Sequence, residues 1–369
     1  MKKRIILIYP YFTGVSGAYN RYLLLERLVK ISNLKVKLII IKQKTFKSNI
    51  AKFIYKFYKY LKVESLILFY CVIKNYFLIT DFNPSIVAIF SKKVFIQIHD
   101  VSWENKKFTR HNIYFYRIFK LFLKYYKNIL TVSKTSMLAI TRLSGRQKKI
   151  SYLYNSVNSE FINESNNLGR DNDFCENDII LENIDSNIPN LIYIATLTNR
   201  KSHADLLEAL SKTNSLFNVN LVGLPISKKI LEFIKSRKTF DGETIKSKIN
   251  YFPHLSQSNL CNLLLHSSAY ISTSMNEGFG IPVLEAQIYN LPLLVRDLDI
   301  NRELFPNAKF FKSTFELANL IEEIKPLSKY EIIKRKKILA NINEYNLIDA
   351  YNYLNLSNKL KNIISTSLD

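Results

Sequence analysis

Short apolar runs and amphipathic stretches alternate along most of the chain. Arg4 to Tyr9 reads as a strand, and a loop containing Gly14 and Gly17 leads into a helical pattern from Tyr19 to Ile31. Val36 to Ile41 reads as a second strand, and Ile50 to Thr80 is helical in pattern. Ser85 to Ile89 and Val94 to Ile98 return to strand, Tyr114 to Tyr126 is predicted helical, and Asn128 to Val132 is a further strand. Near-continuous apolar strands separated by helices are the signature of a parallel sheet covered on both faces. Asparagines and acids then interrupt the pattern over 159–190, which reads as a connection. A second alternating set follows, with strands Leu191 to Ala195, Val219 to Val222, Ile249 to Phe252, Ala269 to Ser272 and Leu291 to Val295. Ala204 to Ser211, Lys228 to Lys235 and Ser256 to Leu265 are helical between them, and a last helix is predicted over Leu347 to Ile364. The pattern predicts an α/β chain of two doubly wound, Rossmann-like domains facing each other across a cleft. Their expected bounds are 1–158 and 191–345, with a connection at 159–190 and a C-terminal helix at 346–369 free to pack back on the first domain.

A length of 369 residues agrees with two domains, and 47 % hydrophobic residues are ample for two cores. Cys71, Cys175 and Cys261 are too far apart for a zinc spacing and odd in number, which points to a reducing cytoplasm. The apolar run behind Met1-Lys2-Lys3-Arg4 is too short for a signal peptide. Leu66 to Ile79, broken by Lys74-Asn75, falls short of the ~20 residues that span a bilayer. Charge changes the picture more. Residues 1–150 hold 30 Lys/Arg against 5 Asp/Glu, whereas 151–369 hold 23 against 25. One basic half implies a surface for polyanions, unless a lysine-rich coding bias happens to cluster there. Lys47, Lys52, Lys56, Lys59 and Lys62 alternate with Phe53, Tyr55, Phe57, Tyr58 and Tyr60, and a second cluster runs from Lys106 to Lys127. This interleaving suits an interfacial helix on anionic lipid; the competing reading is a core-facing aromatic stripe with a solvated basic side. Nucleic acid is not expected, because no binding motif accompanies the charge.

The most specific stretch is Ser274-Met275-Asn276-Glu277-Gly278-Phe279-Gly280-Ile281-Pro282-Val283-Leu284-Glu285-Ala286. It follows a predicted strand and enters a helix with Pro282 in the first turn, where a missing N–H costs nothing. Strand, glycine turn and helix N-terminus together make an anion site. Glu277 and Glu285 bracket it and suit a ligand bearing hydroxyls as well as phosphate. An ordinary strand–helix turn with Glu285 favoured by the helix dipole explains the same residues. In doubly wound sheets ligands bind outside the carboxyl ends of the strands. Glu277, Gly278, Arg200, His99, Gly14 and Gly17 all follow predicted strands.

Glu277 to Glu285 resembles the E-x7-E signature of glycosyltransferase family 4 (glycosyl transferases group 1), retaining enzymes of the GT-B fold. The resemblance extends along the chain. Ile98-His99-Asp100-Val101-Ser102 is similar to the family's "HD" strand end, and Leu130-Thr131-Val132-Ser133 to its "TVS" strand. Leu153-Tyr154-Asn155-Ser156-Val157 resembles "YNGV", and Ile194 to Lys201 resembles "VGTLxPRK". Arg296-Asp297 and Arg302-Glu303 resemble the following "RD…RE". Ala195 replaces a usual glycine, Thr198-Asn199 replace an acid and a proline, and Asn290 replaces a glycine after the signature helix.

The resemblance implies roles residue by residue. Glu285 would hold the nucleotide ribose and Glu277 the donor sugar, with Gly278, Phe279 and Gly280 offering backbone N–H groups. Thr196 would line the donor, Arg200 and Lys201 would clamp its diphosphate, His99 would sit by the reacting sugar, and Gly17 would approach the diphosphate. His99, Glu277, Arg200 and Lys201 are the implied catalytic set. No metal or other cofactor is expected, and Asp297-Leu298-Asp299 is not read as a metal site. The implied activity is transfer of a hexose from a UDP- or GDP-sugar to a lipid-linked or saccharide acceptor in polysaccharide or lipopolysaccharide biosynthesis. The implied place is cytoplasmic and peripheral, on the inner face of the plasma membrane. A non-catalytic nucleotide-sugar-binding subunit and a nucleic-acid binder or modifier are the competing classes.

Overall fold

The computed structural model describes residues 4–12, 17–44, 48–81, 84–99, 110–145, 150–170, 187–239, 241–343, 347 and 351–367. The chain divides into two compact units, Met1–Ser156 with Ile348–Asp369, and Val157–Leu347. The first unit runs β1 Arg4–Phe12, α1 Gly17–Ile31, β2 Lys35–Lys42, α2 Asn49–Leu68, β3 Phe77–Thr80, α3 Val87–Phe90, β4 Val94–Ile98, α4 Arg110–Tyr125, β5 Asn128–Thr131, α5 Lys134–Ser144 and β6 Ile150–Tyr152. Its six strands are all parallel, in the order β2-β1-β3-β4-β5-β6. Successive residues of a strand face opposite sides. Ile5, Ile6, Leu7 and Ile8 are all buried, so both faces of the sheet are covered. One face packs Ile6, Ile8, Leu78 and Ile96 under Val63 and Ile67 of α2 and Phe119 and Leu123 of α4.

Two elements differ from the pattern read in the sequence. The apolar run over 66–79 continues α2 through a π-helical turn, Phe69–Ile73, and then becomes β3 in the interior of the sheet. Asn75 adopts φ 60°, a left-handed conformation that asparagine tolerates and a helix does not, and this ends the helical stretch. Ser85 to Ile89 is not a strand: Val87–Phe90 is one helical turn, started where Ile86 N–H donates to Glu64 at 2.6 Å.

The second unit runs α6 Ser159–Arg170, β7 Asn190–Ile194, a 3-10 turn Asn199–Lys201, α7 His203–Ser211, β8 Asn218–Val222, α8 Lys228–Ser236, β9 Lys248–Phe252 and α9 Gln257–Leu265. It continues with β10 Ala269–Ser272, α10 Ile281–Ile288, β11 Leu293–Arg296, α11 Asp299–Leu304, β12 Lys309–Phe311, α12 Thr314–Glu322 and α13 Lys329–Leu339. Serine oxygens at Ser227, Ser256, Ser313 and Ser328 accept the first free N–H groups of their helices, which fixes where each begins. The parallel strand order is β12-β11-β10-β7-β8-β9. Counted within the unit and read from β9, this is 3-2-1-4-5-6, the order of dinucleotide-binding sheets, with its direction of winding reversing between β7 and β10. The last helix, α14 Tyr353–Thr366, returns to the first unit, where Ser357 donates to the Leu28 carbonyl of α1 at 3.0 Å.

The stretch read as a connection opens with a helix. α6 buries only Phe161, Ile162 and Ser165, and polar groups do the rest of its anchoring. Asn166 donates to the carbonyls of Ala340 and Ile342 at 2.9 and 3.0 Å, and Ser165 meets the Tyr289 hydroxyl at 2.8 Å. Asn166, one of the asparagines that broke the hydrophobic period, is thus part of what seats the helix. At Gly169 the approach is tighter still: a Cβ there would lie 2.2 Å from the Ala340 nitrogen and 2.6 Å from the Leu339 carbonyl carbon. Gly169→Ala should lower stability by about 1–3 kcal/mol, because the clash is with backbone that cannot rotate away. A shift of the urea midpoint at unchanged slope measures it; an unchanged midpoint would show that the α6–α13 contact is looser than described.

Candidate functional site

The corner where β7 and β10 end is where the winding reverses, and it gathers three of the residues singled out in the sequence. After β7 the chain passes Thr196, makes the 3-10 turn Asn199–Lys201, and enters α7 through Ser202 at φ 44°. After β10, Thr273 to Glu277 lies against that turn. Met275 N–H donates to the Arg200 carbonyl at 2.9 Å. The Thr273 hydroxyl lies 3.1 and 2.8 Å from the Lys201 and Ser202 carbonyls, and Arg200 donates to the Asn276 carbonyl at 2.8 Å. Tyr193, fully buried in β7, donates to the Lys201 carbonyl at 2.7 Å from below. The result places both cations on one carboxylate. Lys201 Nζ bonds Glu277 Oε1 directly, and Arg200 Nη1 lies 3.7 Å from Glu277 Oε2.

From Glu277 the chain turns through Gly278 and the buried Phe279 to Gly280, which adopts φ 86° ahead of α10. Phe279 anchors the turn with its buried ring. Among the described residues no acceptor takes the N–H groups of Gly278, Gly280 or Ile281, which leaves this helix start able to receive an anion. The far end of α10 explains one departure from the family pattern. Asn290 adopts φ 53°, and Leu291 N–H bonds back to the Ala286 carbonyl at 3.2 Å, so asparagine closes the helix as glycine would.

Glu285 has a different environment from Glu277. It is buried inside α10, makes no hydrogen bond or ion pair among the described residues, and burial pushes its carboxyl up to about 8. It is therefore largely protonated at neutral pH in the empty protein, able both to donate to and to accept from a hydroxyl.

In the first unit His99 follows β4. Its Nε2 lies 3.7 Å from Asp81 Oδ2, just beyond β3, and 3.2 Å from the Gln97 amide. Gln97 is fixed in turn by Arg21, whose other nitrogens donate to the Tyr154 and Leu153 carbonyls at 2.7 and 2.8 Å. Arg21 is fully buried, which lowers it to about 9 and still leaves it charged at neutral pH. Gly17 opens α1; Gly14 and Asp100 to Ser102 lie outside the described residues.

Several supporting residues have no role assigned from the sequence, although Arg296 stands in the "RD…RE" stretch. Arg296, at the end of β11, donates to the Thr273 carbonyl at 3.1 Å and pairs with Asp205 of α7, locking the corner from a third strand. A charged residue ending an inner strand was the available signal. His203 packs its ring against Tyr193, tilted by 31° with centroids 4.7 Å apart, and burial and then the Lys201 charge lower it to about 4, so it stays neutral beside the cations. Asp297 is occupied by Arg302, which donates to it at 2.9 Å, and by Lys312 at 3.7 Å.

Known proteins resemble this chain in both sequence and fold. Residues 176–345 match the family model described as glycosyl transferases group 1. The serotype-specific mannosyltransferase WbdA of Escherichia coli is 26 % identical over 144 residues, 37 % of this chain and 17 % of that protein. The O-antigen chain mannosyltransferase RfbU of Salmonella typhimurium is 25 % identical over 204 residues, 54 % of this chain and 50 % of that one. The match thus spans no more than half of either relative. A glycosyltransferase from Rickettsia africae superposes with a TM-score of 0.67 at 18 % identity over 100 % of both chains. Anabaena HepE, solved with UDP and glucose, superposes with a TM-score of 0.66 at 14 % identity over 98 % of this chain and 99 % of that one. Residues 176–345 thus have the sequence pattern of the glycosyl transferases group 1, and the two parallel six-stranded units of the chain are those of the GT-B fold.

Proposed function

We propose that this protein transfers a hexose from a UDP- or GDP-sugar, with retention at the anomeric carbon, to a lipid-linked or surface-saccharide acceptor. The setting would be polysaccharide or lipopolysaccharide synthesis at the cytoplasmic face of the plasma membrane. One observation carries the reading: two cations and the open N–H groups of a helix start share the corner where the winding of the second sheet reverses. That arrangement suits a diphosphate leaving group whose negative charge grows as its bond to the anomeric carbon breaks. The bond that forms is to the acceptor oxygen, and its proton passes to the departing phosphate, so no protein carboxylate has to act as nucleophile. The saccharide reading is supported by the relatives' names, mannosyltransferases of serotype and O-antigen chains, and the nucleotide-sugar reading by a structural neighbour that binds UDP-glucose.

In this reading Arg200 and Lys201 clamp the diphosphate, and Glu277 positions the cations and then meets the donor sugar. Glu285 takes the ribose hydroxyls. Thr196 and the main chain of Gly278, Phe279 and Gly280 complete the donor site, His99 would contact the reacting sugar and Gly17 the diphosphate, and no metal or cofactor takes part.

Titration with UDP, GDP and their sugars, read as a rise in melting temperature, tests the donor class directly; no response to any of them would refute it. Lys201→Met should lower kcat by about 10²–10³-fold and raise donor KM by less, because the charge it meets develops in the transition state. A rise in KM alone would assign Lys201 to ground-state binding. Glu285→Ala should raise donor KM at least about tenfold, the loss of one or more good hydrogen bonds.

The same carboxyl makes a pH prediction. Its folded value of about 8 lies above the ordinary 4.5, so its stabilising contribution is complete below 4.5 and is lost as pH rises through 8. Between pH 5 and 9 the melting temperature of the empty wild-type protein should therefore fall relative to Glu285→Gln. Parallel curves would show that Glu285 is solvated.

A further inference from the structure

At the amino ends of β1 and β2, opposite the end where Asp81 and His99 stand, a cavity of about 440 Å³ is lined by Arg4, Lys35, Lys37, Lys74, Tyr70 and Tyr76. The tyrosines hold two of the cations in place. Arg4 donates to the Tyr76 hydroxyl at 2.7 Å with its guanidinium over that ring, and Lys37 donates to the Tyr70 hydroxyl at 3.1 Å with its ammonium over the second ring. The two rings stack at 6.3 Å and 20°. Among the described residues none of the four cations pairs with a carboxylate. Four like charges around one cavity repel unless an anion joins them.

The surface beside the cavity is apolar. The π-helical turn that supplies Tyr70 exposes Phe69, Val72 and Ile73, the last at 66 %. Along α2, Ile50, Phe53, Ile54, Phe57, Leu61 and Leu68 are all exposed, from 47 to 73 %, while Val63 and Ile67 on the opposite side are buried. Offsets of 3, 4, 7, 11 and 18 residues put that set on one helical face. The outward side of α2 is thus an apolar stripe of about 30 Å, with cations at its end. A stripe this long exposed beside basic groups fits a lipid surface, where apolar side chains enter the acyl boundary and cations meet the head groups.

We infer that Arg4, Lys35, Lys37 and Lys74 form a head-group site for an anionic phospholipid, beside the α2 stripe that beds in the bilayer. The inference rests on the membrane part of the proposed function and names the site and the lipid class; the donor site plays no part in it. An anionic head group bound here would hold the carboxyl ends of the first sheet at a fixed distance from the bilayer.

Co-sedimentation of the full chain with vesicles of phosphatidylcholine, alone or mixed with phosphatidylglycerol, tests it. The wild type should bind the mixed vesicles, and Lys35→Gln/Lys37→Gln/Lys74→Gln should weaken that binding about a hundredfold at unchanged melting temperature. Lys228→Gln/Lys229→Gln/Lys235→Gln in the second unit removes the same net charge and should leave it intact. Equal losses in the two triple variants, or no loss in the first, would overturn the site while leaving bulk attraction to membranes. Absence of vesicle binding by the wild type, or capture of inorganic phosphate in its place, would overturn the membrane reading too. Nucleotide binding should be the same in all three proteins, so failure there falls on the donor assignment alone.

Discussion

The loops that leave β7 and β10 are tied to each other through the main chain, and the candidate site depends on that tie. The Arg200 carbonyl receives the Met275 N–H, and the Lys201 and Ser202 carbonyls lie within reach of the Thr273 hydroxyl. Carbonyls so occupied cannot rotate, so the side chains between them are aimed before any ligand arrives. Preorganisation of this kind matters more for charge stabilisation than the number of charges, because no reorganisation is left to be done in the transition state. The left-handed Ser202 is the strained link that lets the 3-10 turn give way directly to α7. Arg296, bonded both to Thr273 and to Asp205, extends the same tie to a third strand.

Glu277 has to be understood within that tie. Its side chain is only 10 % exposed and Lys201 only 15 %. Removing either partner would leave a charge poorly solvated, a loss of about 3–5 kcal/mol in comparable buried pairs, whereas the intact pair contributes much less. The pair is thus poor evidence for stability and good evidence for a constraint on position. Its cost is tolerated where the chain needs two cations held still beside a helix start.

Much of this was legible in the sequence. The strands of both sheets stand out as apolar runs because parallel strands buried on both faces carry few polar residues. Arg200, Glu277 and His99 follow predicted strands, where such sheets present their chemistry, and each does stand just past a strand end. Misreadings arose where packing is not apolar or where one residue resets the backbone. β3 was hidden behind a helix because its apolar run is continuous with α2 and only Asn75 separates them. α6 was hidden because Asn166 and Ser165 anchor it through hydrogen bonds. Tyr193, Thr273, Ser202 and His203 support the site through carbonyls, a left-handed φ and a ring contact, none of which leaves a pattern in residue type.

The two glutamates of the E-x7-E stretch show how one turn presents two different kinds of recognition. Glu277 pairs with two cations; Glu285, eight residues on and inside a helix, pairs with none among the described residues, and burial raises its carboxyl. Sequence treats them alike. The difference arises from the fold, which carries the first to the end of a strand and turns the second into the core. Glu277 holds Arg200 and Lys201 in place, and an anion arriving there meets cations that are already positioned. A neutral buried carboxyl can satisfy a diol without desolvating a charge. In the proposed reading a ligand carrying diphosphate and hydroxyls meets both environments, whereas inorganic phosphate or a free sugar meets only one, which gives the turn a basis for telling them apart.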